Sequence, residues 1–425
     1  MGTQKKVQLS IMMFLQFVVW GAWYGQLSKY LFAIGFTGTE VGNIYATFSI
    51  AMIIAPFFVG IIADRFFNAE RVLGVLNLIG AAILYSLTQI NEYNSFYWMM
   101  LLYCITFAPT IALTSSICMR QMTNPAKEFP PIRVLGTIAW IAVTNFVGIM
   151  NWGDKATIFQ VSMFTAIAIG LFAFTLPKTP PTMTGPVSLA QIAGKDAFVL
   201  FRDRSFAIFF IASVLICIPL SFYYALGNPS ITDAYISAFQ QANPGAALTD
   251  EVKKSFYVEN KMSLGQFSEI FFMLLLPLAY ARFGIKNILI IGLMAWIIRF
   301  FFFGYGNADS SEWMLYGGII LHGICYDFFF VSGMIYTDEK AGDKIKSSAQ
   351  GLISLATYGL GMYIGSVISG YAKDHYTTKV AAGATEAVTT NWTGVWNVPA
   401  GIAIVVLLLF LLFFKAEKNS PRAIM

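Results

Sequence analysis

The sequence is short of charge. Of its 425 residues only 12% are Asp, Glu, Lys or Arg, against 57% that are hydrophobic. A soluble chain usually carries about 25% charged residues, so a chain this poor in them has lipid as its main solvent. The net charge of +5 rests on few charges in total. It does not describe a nucleic-acid binder, and no nucleic-acid partner is expected. Histidine is rarer still, at two residues, and the four cysteines, Cys104, Cys118, Cys217 and Cys325, are scattered through apolar runs without a CxxC pair. That pattern argues against a disulfide framework or a zinc site and leaves small buried hydrophobes; no metal and no cofactor is expected. A GxxxxGK[ST] phosphate loop is missing, which disfavours ATP-driven pumping. An intramembrane enzyme would need a nucleophile–base pair or a metal cluster, and a membrane sensor would need a sizeable soluble output domain. Neither finds its residues here, so the chain is not expected to be an enzyme. A cleavable leader is not expected either. Lys5 and Lys6 precede an apolar run that reaches Ile34, too long for a signal core and without a small-residue cleavage site.

What the sequence has in quantity is apolar runs. A membrane-spanning helix needs about 20 apolar residues. Twelve candidates are legible, near 8–33, 40–63, 72–90, 95–118, 130–152, 157–176, 205–228, 262–282, 286–304, 313–337, 347–371 and 395–414. The expected fold class is therefore an all-α membrane protein. Two connections are long. Pro177 to Arg204 carries Pro177, Pro180, Pro181 and Pro186, and it divides the chain into a bundle at 1–176, a linker at 177–204 and a bundle at 205–425. The other, Asn228 to about Asn260, is polar, with Asp250, Glu251, Lys253 and Lys254.

Lys and Arg set the orientation. With the N-terminus in the cytoplasm, eighteen basic residues fall at cytoplasmic ends and seven at outer ends, while Arg133 and Arg299 lie inside spans. Both termini are expected in the cytoplasm, in a multi-pass protein of a bacterial inner membrane. The halves echo each other: GIIADRFFNAER (60–71) follows the second span and AYARFGIKN (279–287) follows the eighth. A parallel repeat of six spans is the layout of major facilitator transporters, and Gly60-x-x-x-Asp64-Arg65 resembles their loop signature. An ordinary tight cytoplasmic turn is the plainer reading of that string.

Polar residues inside spans are costly and usually face a cavity. Asp327, in LHGICYDFFFVSG, lies about ten residues, or roughly 15 Å, from either end of its span. It must pair, be solvated or hold a proton. Glu269 follows Gln266 by three residues on one helix face. Together they suit hydroxyls or a nucleobase edge, or else act as interhelical glue. Arg133, Thr137 and Trp140 line one stripe, although Pro130 and Pro131 place Arg133 in the first turn, where it reads as a snorkelling end residue. His322 is a proton relay or a neutral hydrogen-bonding group. Arg299 reads as an anchor near the outer end of its span. Tyr223 and Tyr224 follow Pro219, which is placed to break the seventh span.

At these same residues the chain resembles the nucleoside:proton symporters of the major facilitator superfamily. The strings that carry the likeness are FLQFVVWGAW (14–23), GIIADR (60–65), FPPIRVLGTI (129–138), QFSE (266–269), RFGIKN (282–287), YDFFFVSG (326–333) and SSAQG (347–351), in order over nearly the whole chain. The resemblance implies twelve helices in two six-helix halves and proton-coupled import of nucleosides by alternating access. It implies a cavity lined by Arg133, Thr137, Trp140, Gln266, Glu269 and Asp327 beside Tyr326, with Asp327 or Glu269 binding the driving proton. The sequence departs where nucleoside permeases carry a Gln and an Asn in the seventh span, for Ser221 and Tyr224 stand there, and where they carry a Tyr, for His322 stands there. The cargo the resemblance leads us to expect is a small polar solute, a nucleoside or alternatively a sugar, sugar acid or other glycoside. The expected partners are that solute, protons and the lipid bilayer, and the expected assembly is a monomer.

Overall fold

The computed structural model describes residues 2–58, 66–181, 195–382 and 385–415. The loop string at Gly60, Asp64 and Arg65, residues 182–194 of the expected linker, and the basic Lys418 and Arg422 lie outside the described residues. In order, the helices are α1 (Thr3–Trp23), α2 (Leu27–Ala33), α3 (Gly38–Phe58), α4 (Ala69–Leu87), α5 (Tyr93–Gln121), α6 (Pro125–Ile149), α7 (Thr157–Ala173), a 3-10 segment (Lys195–Arg202), α8 (Arg204–Ala242), α9 (Asp250–Ser255), α10 (Val258–Tyr305) and α11 (Glu312–Tyr326). A π turn (Asp327–Val331), α12 (Ser332–Ser354), a second π turn (Leu355–Gly361), α13 (Met362–His375), strands β1 (Thr377–Ala382) and β2 (Thr385–Thr390), and α14 (Trp392–Phe413) complete the chain. Among the described residues nine helices are long and apolar enough to cross a membrane, and Thr157–Ala173 is a shorter apolar helix.

Several helix starts are fixed by a capping side chain. The Glu92 carboxylate accepts from the backbone N–H of Asn94 at 2.8 Å and of Ser95 at 2.7 Å and starts α5. These N–H donors, Ser95 before Asn94, hold that carboxyl below its ordinary pKa. Asp203 caps α8 through Ser205 and Phe206 and pairs with Lys340 at 2.5 Å. Two breaks inside long helices depend on glycine: Gly284 (φ 71°) divides α10 into two legs and Gly342 (φ 61°) divides α12, a left-handed backbone that a Cβ disfavours.

The chain forms two compact units, Met1–Phe36 with Asn43–Ile192, and Thr37–Gly42 with Ala193–Met425. The core of the first includes Trp23, Phe96, Tyr103 and Phe159, all almost fully buried. The core of the second is built on a column in which Trp296 stacks on Phe300 and Phe300 on Trp396. Leu274, Leu278 and Leu412 are 75%, 70% and 71% exposed, a surface made for hydrocarbon rather than water.

Three expectations change, and one connection takes a form the sequence did not announce. The segment from Asn228 is not a loop, since α8 continues to Ala242. It is held there by Tyr235, whose hydroxyl bonds Glu312 and whose ring lies under the Lys261 ammonium at 3.7 Å. Pro219 does not break that helix; Pro219 and Pro229 both sit inside it. Only the missing proline N–H is lost, which buried helices tolerate. The helix bearing Arg133 begins at Pro125, not Pro130, because the Asn124 side chain accepts from Lys127 N and caps it there. The connection between α13 and α14 is a β-hairpin with Thr377 opposite Thr390.

Candidate functional site

In the second unit the polar residues converge because small residues let their helices touch. A Cβ on Gly323 of α11 would lie 2.5 Å from the backbone carbonyl of Ser268 in the first leg of α10, and one on Gly265 would lie 3.4 Å from His322 Cβ. Ser268 Oγ donates to the Ile320 carbonyl at 2.5 Å and locks the crossing. Glu269, next to Ser268, thereby meets His322, with Oε2 3.7 Å from Nε2. His322 is 1% exposed, and its Nδ1 faces Arg299 Nη1 at 3.0 Å.

Arg299 is the residue that sequence reasoning misplaced. It is not an anchor at a lipid boundary but fully buried, at 0% exposure. Its guanidinium lies 3.7 Å from the centre of the Tyr223 ring, with Trp296 and Phe303 at 5.3 and 5.5 Å. The signal was present: Trp296 and Phe303 flank Arg299 at i−3 and i+4, one helix face of rings around a cation. Tyr223 also packs on His322, with ring centroids 5.2 Å apart, and Tyr224 is half-buried beside Tyr223.

Two π turns complete this side. Such turns add one residue per turn and recur at functional sites. The first begins at Asp327, whose carbonyl accepts from Ser332 Oγ at 3.3 Å. Both Asp327 carboxylate oxygens are buried and find no hydrogen-bond partner among the described residues. The second carries Tyr358, whose hydroxyl meets that of Tyr326 at 2.6 Å. Gln266 is half-buried and makes no hydrogen bond among the described residues. Ser221 is committed elsewhere: its hydroxyl lies 3.0 Å from the Cys217 carbonyl and 3.1 Å from the Met362 carbonyl. Among the described residues no group of His, Cys, Asp and Glu is arranged to hold a metal ion.

In the first unit α1 and α6 also approach through glycines. A Cβ on Gly21 would meet Val143 at 2.9 Å and Trp140 at 3.1 Å, and one on Gly136 would meet Phe17 at 2.7 Å. The Arg133 guanidinium, exposed, lies over the Phe17 ring at 4.5 Å. Thr137 is half-buried one turn on, and Trp140 sets its edge against Trp20 at 5.4 Å. Trp20 in turn touches Tyr24, Phe48 and Phe107. Gln16 donates to Thr110 Oγ1 at 2.7 Å, leaving its own Oε1, like Trp20 Nε1, buried without a partner among the described residues. Gln16, Phe17 and Trp20 were not singled out from the sequence, although Gln16, Trp20 and Tyr24 repeat every fourth residue.

Apolar helices facing outward, with aromatic-walled clusters of hydrogen-bonding groups inside, define a multi-pass membrane transporter rather than an enzyme. The Nucleoside H+ symporter family matches residues 1–419, and the chain belongs to that family. YegT of Escherichia coli strain K12 is 38% identical over 429 residues, covering 98% of this chain and 95% of its own. The xanthosine permease of the same strain is 33% identical, covering 98% and 99%. The crystal structure of the nucleoside transporter NupG matches with a TM-score of 0.83 at 30% identity, over 97% of this chain and 99% of that one.

Proposed function

We propose that this protein is a proton-coupled symporter that imports nucleosides by alternating access. In this reading it has twelve transmembrane helices in two six-helix halves, works as a monomer in a bacterial inner membrane and keeps both termini in the cytoplasm. The solute's polar edges bond Gln266, Glu269 and Arg133, with Thr137 and Tyr326 as further hydrogen-bonding groups. Trp140 and Tyr224 offer ring faces to a base. His322 supplies a further polar contact and Ser221 shapes the wall behind it.

The observation that carries the coupling is Asp327: a carboxyl group buried with neither oxygen hydrogen-bonded among the described residues. Such a group changes its charge without first breaking a hydrogen bond, and Glu269 is the second carboxyl near the cluster. Binding the proton and solute together, and releasing both on the other side, ties uptake to the proton gradient.

The test is uptake into proteoliposomes with an imposed pH gradient, acid outside, across a panel of nucleosides and sugars. Nucleoside accumulation that collapses with a protonophore is the expected result. Accumulation of sugars alone would establish the glycoside reading in its place, and uptake indifferent to the gradient would end the symport reading.

A further inference from the structure

We propose that Arg299 is a positioning residue: it fixes the tautomer of His322 so that the imidazole presents its N–H at Nε2 beside Glu269, and the two together read a hydroxyl of the solute. The proposal rests on the transport reading above and names which part of the cargo this corner of the site recognises.

Arginine carries five N–H donors and no acceptor. Arg299 Nη1 stands 3.0 Å from His322 Nδ1, a hydrogen-bond distance. Nδ1 must therefore accept, and the one ring proton of the neutral imidazole sits on Nε2. A doubly protonated ring would turn two donors toward each other inside a group of residues that are almost fully buried. Nor is Arg299 free to turn away, since the Tyr223 ring covers its guanidinium at 3.7 Å, and Tyr223 is itself stacked on Phe303 at an interplanar angle of 11°.

The other side of the imidazole faces Glu269. Its Nε2 is 3.7 Å from Glu269 Oε2, beyond the usual limit of about 3.2 Å for a hydrogen bond. A donor and an acceptor thus stand side by side without satisfying each other fully. The carboxylate has about four lone-pair positions, so it keeps accepting capacity whatever else it bonds. A hydroxyl is the group that accepts from one neighbour and donates to the other. An ether, a carbonyl or a bare methylene in its place leaves at least one of the pair unmatched. Discrimination of this kind is strongest where the site's polar groups are buried.

The chain has two histidines. The second, His375, is exposed at the end of α13 and packs on Tyr376, outside the cluster. In a His375→Gln background, 15N-histidine labelling leaves a single imidazole to observe in bilayers by NMR. The expected spectrum is the neutral Nε2–H tautomer. A parent spectrum showing Nδ1–H or a doubly protonated ring would overturn the assignment with no need of a further variant. Arg299→Met should lose the single tautomer, and Arg299→Lys, another donor-only cation, should retain it at least in part. The second measurement is binding of a nucleoside and its sugar-deoxy analogues. The parent should reject one analogue by roughly tenfold or more, and Arg299→Met should bring that ratio toward one. An unchanged ratio in folded Arg299→Met overturns the hydroxyl reading. If Arg299→Met does not fold, the parent spectrum and the Arg299→Lys ratio decide. A parent that binds no nucleoside defeats the transport reading instead, and the spectrum still judges the role of Arg299.

Discussion

Gly323 and Ser268 touch backbone to backbone: a Cβ added to Gly323 would fall 2.5 Å from the Ser268 carbonyl. The Ser268 hydroxyl, at 2.6 Å, is tied to the Ile320 carbonyl and the other two nearest atoms are backbone, so any larger residue must separate α11 from the first leg of α10. Glu269 follows Ser268 directly and His322 precedes Gly323, so the contact that closes the helix pair also sets the 3.7 Å between carboxylate and imidazole. Gly323→Ala is expected to cost about 1–3 kcal/mol through overpacking and to weaken solute binding at the same time. Thermal unfolding and titration calorimetry on the same preparation check it. A variant as stable as the parent would mean that the crossing relaxes without strain.

Asp327→Asn is expected to abolish accumulation against a gradient while leaving solute binding and downhill exchange measurable. Asparagine keeps the size of the buried group and removes its titration. Proteoliposomes give both readings, with gradient-driven uptake on one side and counterflow on the other. Accumulation at the parent's level would remove Asp327 from the coupling step and leave Glu269 as the candidate.

Gln266 makes no hydrogen bond among the described residues, so its amide is spent on nothing that holds the helices together. Gln266→Ala should therefore leave the melting temperature within a degree or two and weaken solute binding. Losing such a partner costs about 1–3 kcal/mol, or roughly 5- to 150-fold in affinity. Unchanged affinity in a well-folded variant would place the solute elsewhere.

The long helices were legible because lipid leaves the backbone no other partner: an apolar run of twenty residues must satisfy its own N–H and C=O groups. The turn at Gly284 was legible for a similar local reason, a glycine among basic residues between two such runs. The π turns at Asp327 and Leu355 were not, since one extra residue per turn leaves no mark on hydropathy and is decided by what each helix packs against. Arg299 was misread on the same ground. Its distance along the span suggested a boundary, whereas Tyr223 and His322, remote in sequence, fix it in the interior. The extension of α8 past Asn228 was hidden by polar composition; it is held by contacts remote in sequence, Tyr235 with Glu312 and Lys261 and Asp233 with Trp392. Asp327, Glu269 and Gln266 stood out as isolated polar groups in apolar spans. Which of them touches a partner was a matter of helix crossing that sequence spacing does not carry.

Cargo selectivity is where Ser221, Tyr224 and His322 part from the residues expected at those positions, and the structure separates the three. Ser221 has no space around it. Its hydroxyl is held between the Cys217 and Met362 carbonyls, and it lies 2.7 Å from where a Cβ on Gly365 would be. Ser221→Gln should accordingly cost about 1–3 kcal/mol in stability by overpacking, whereas Ser221→Ala should cost about 0.5–1.5 kcal/mol for one hydrogen bond and leave the order of preferred solutes unaltered. Tyr224 and His322 belong to the cluster around Arg299 and Glu269, so their side chains are the ones positioned to sort solutes. Tyr224→Asn restores a donor and an acceptor in place of a ring, and His322→Tyr keeps an oxygen able to accept from Arg299 while changing what faces Glu269. Together these two changes should shift uptake toward ordinary nucleosides when initial rates are compared across a nucleoside and sugar panel. Coincident profiles for the double variant and the parent, with both folded, would show that neither side chain sets selectivity and would return the question to Arg133 and Trp140.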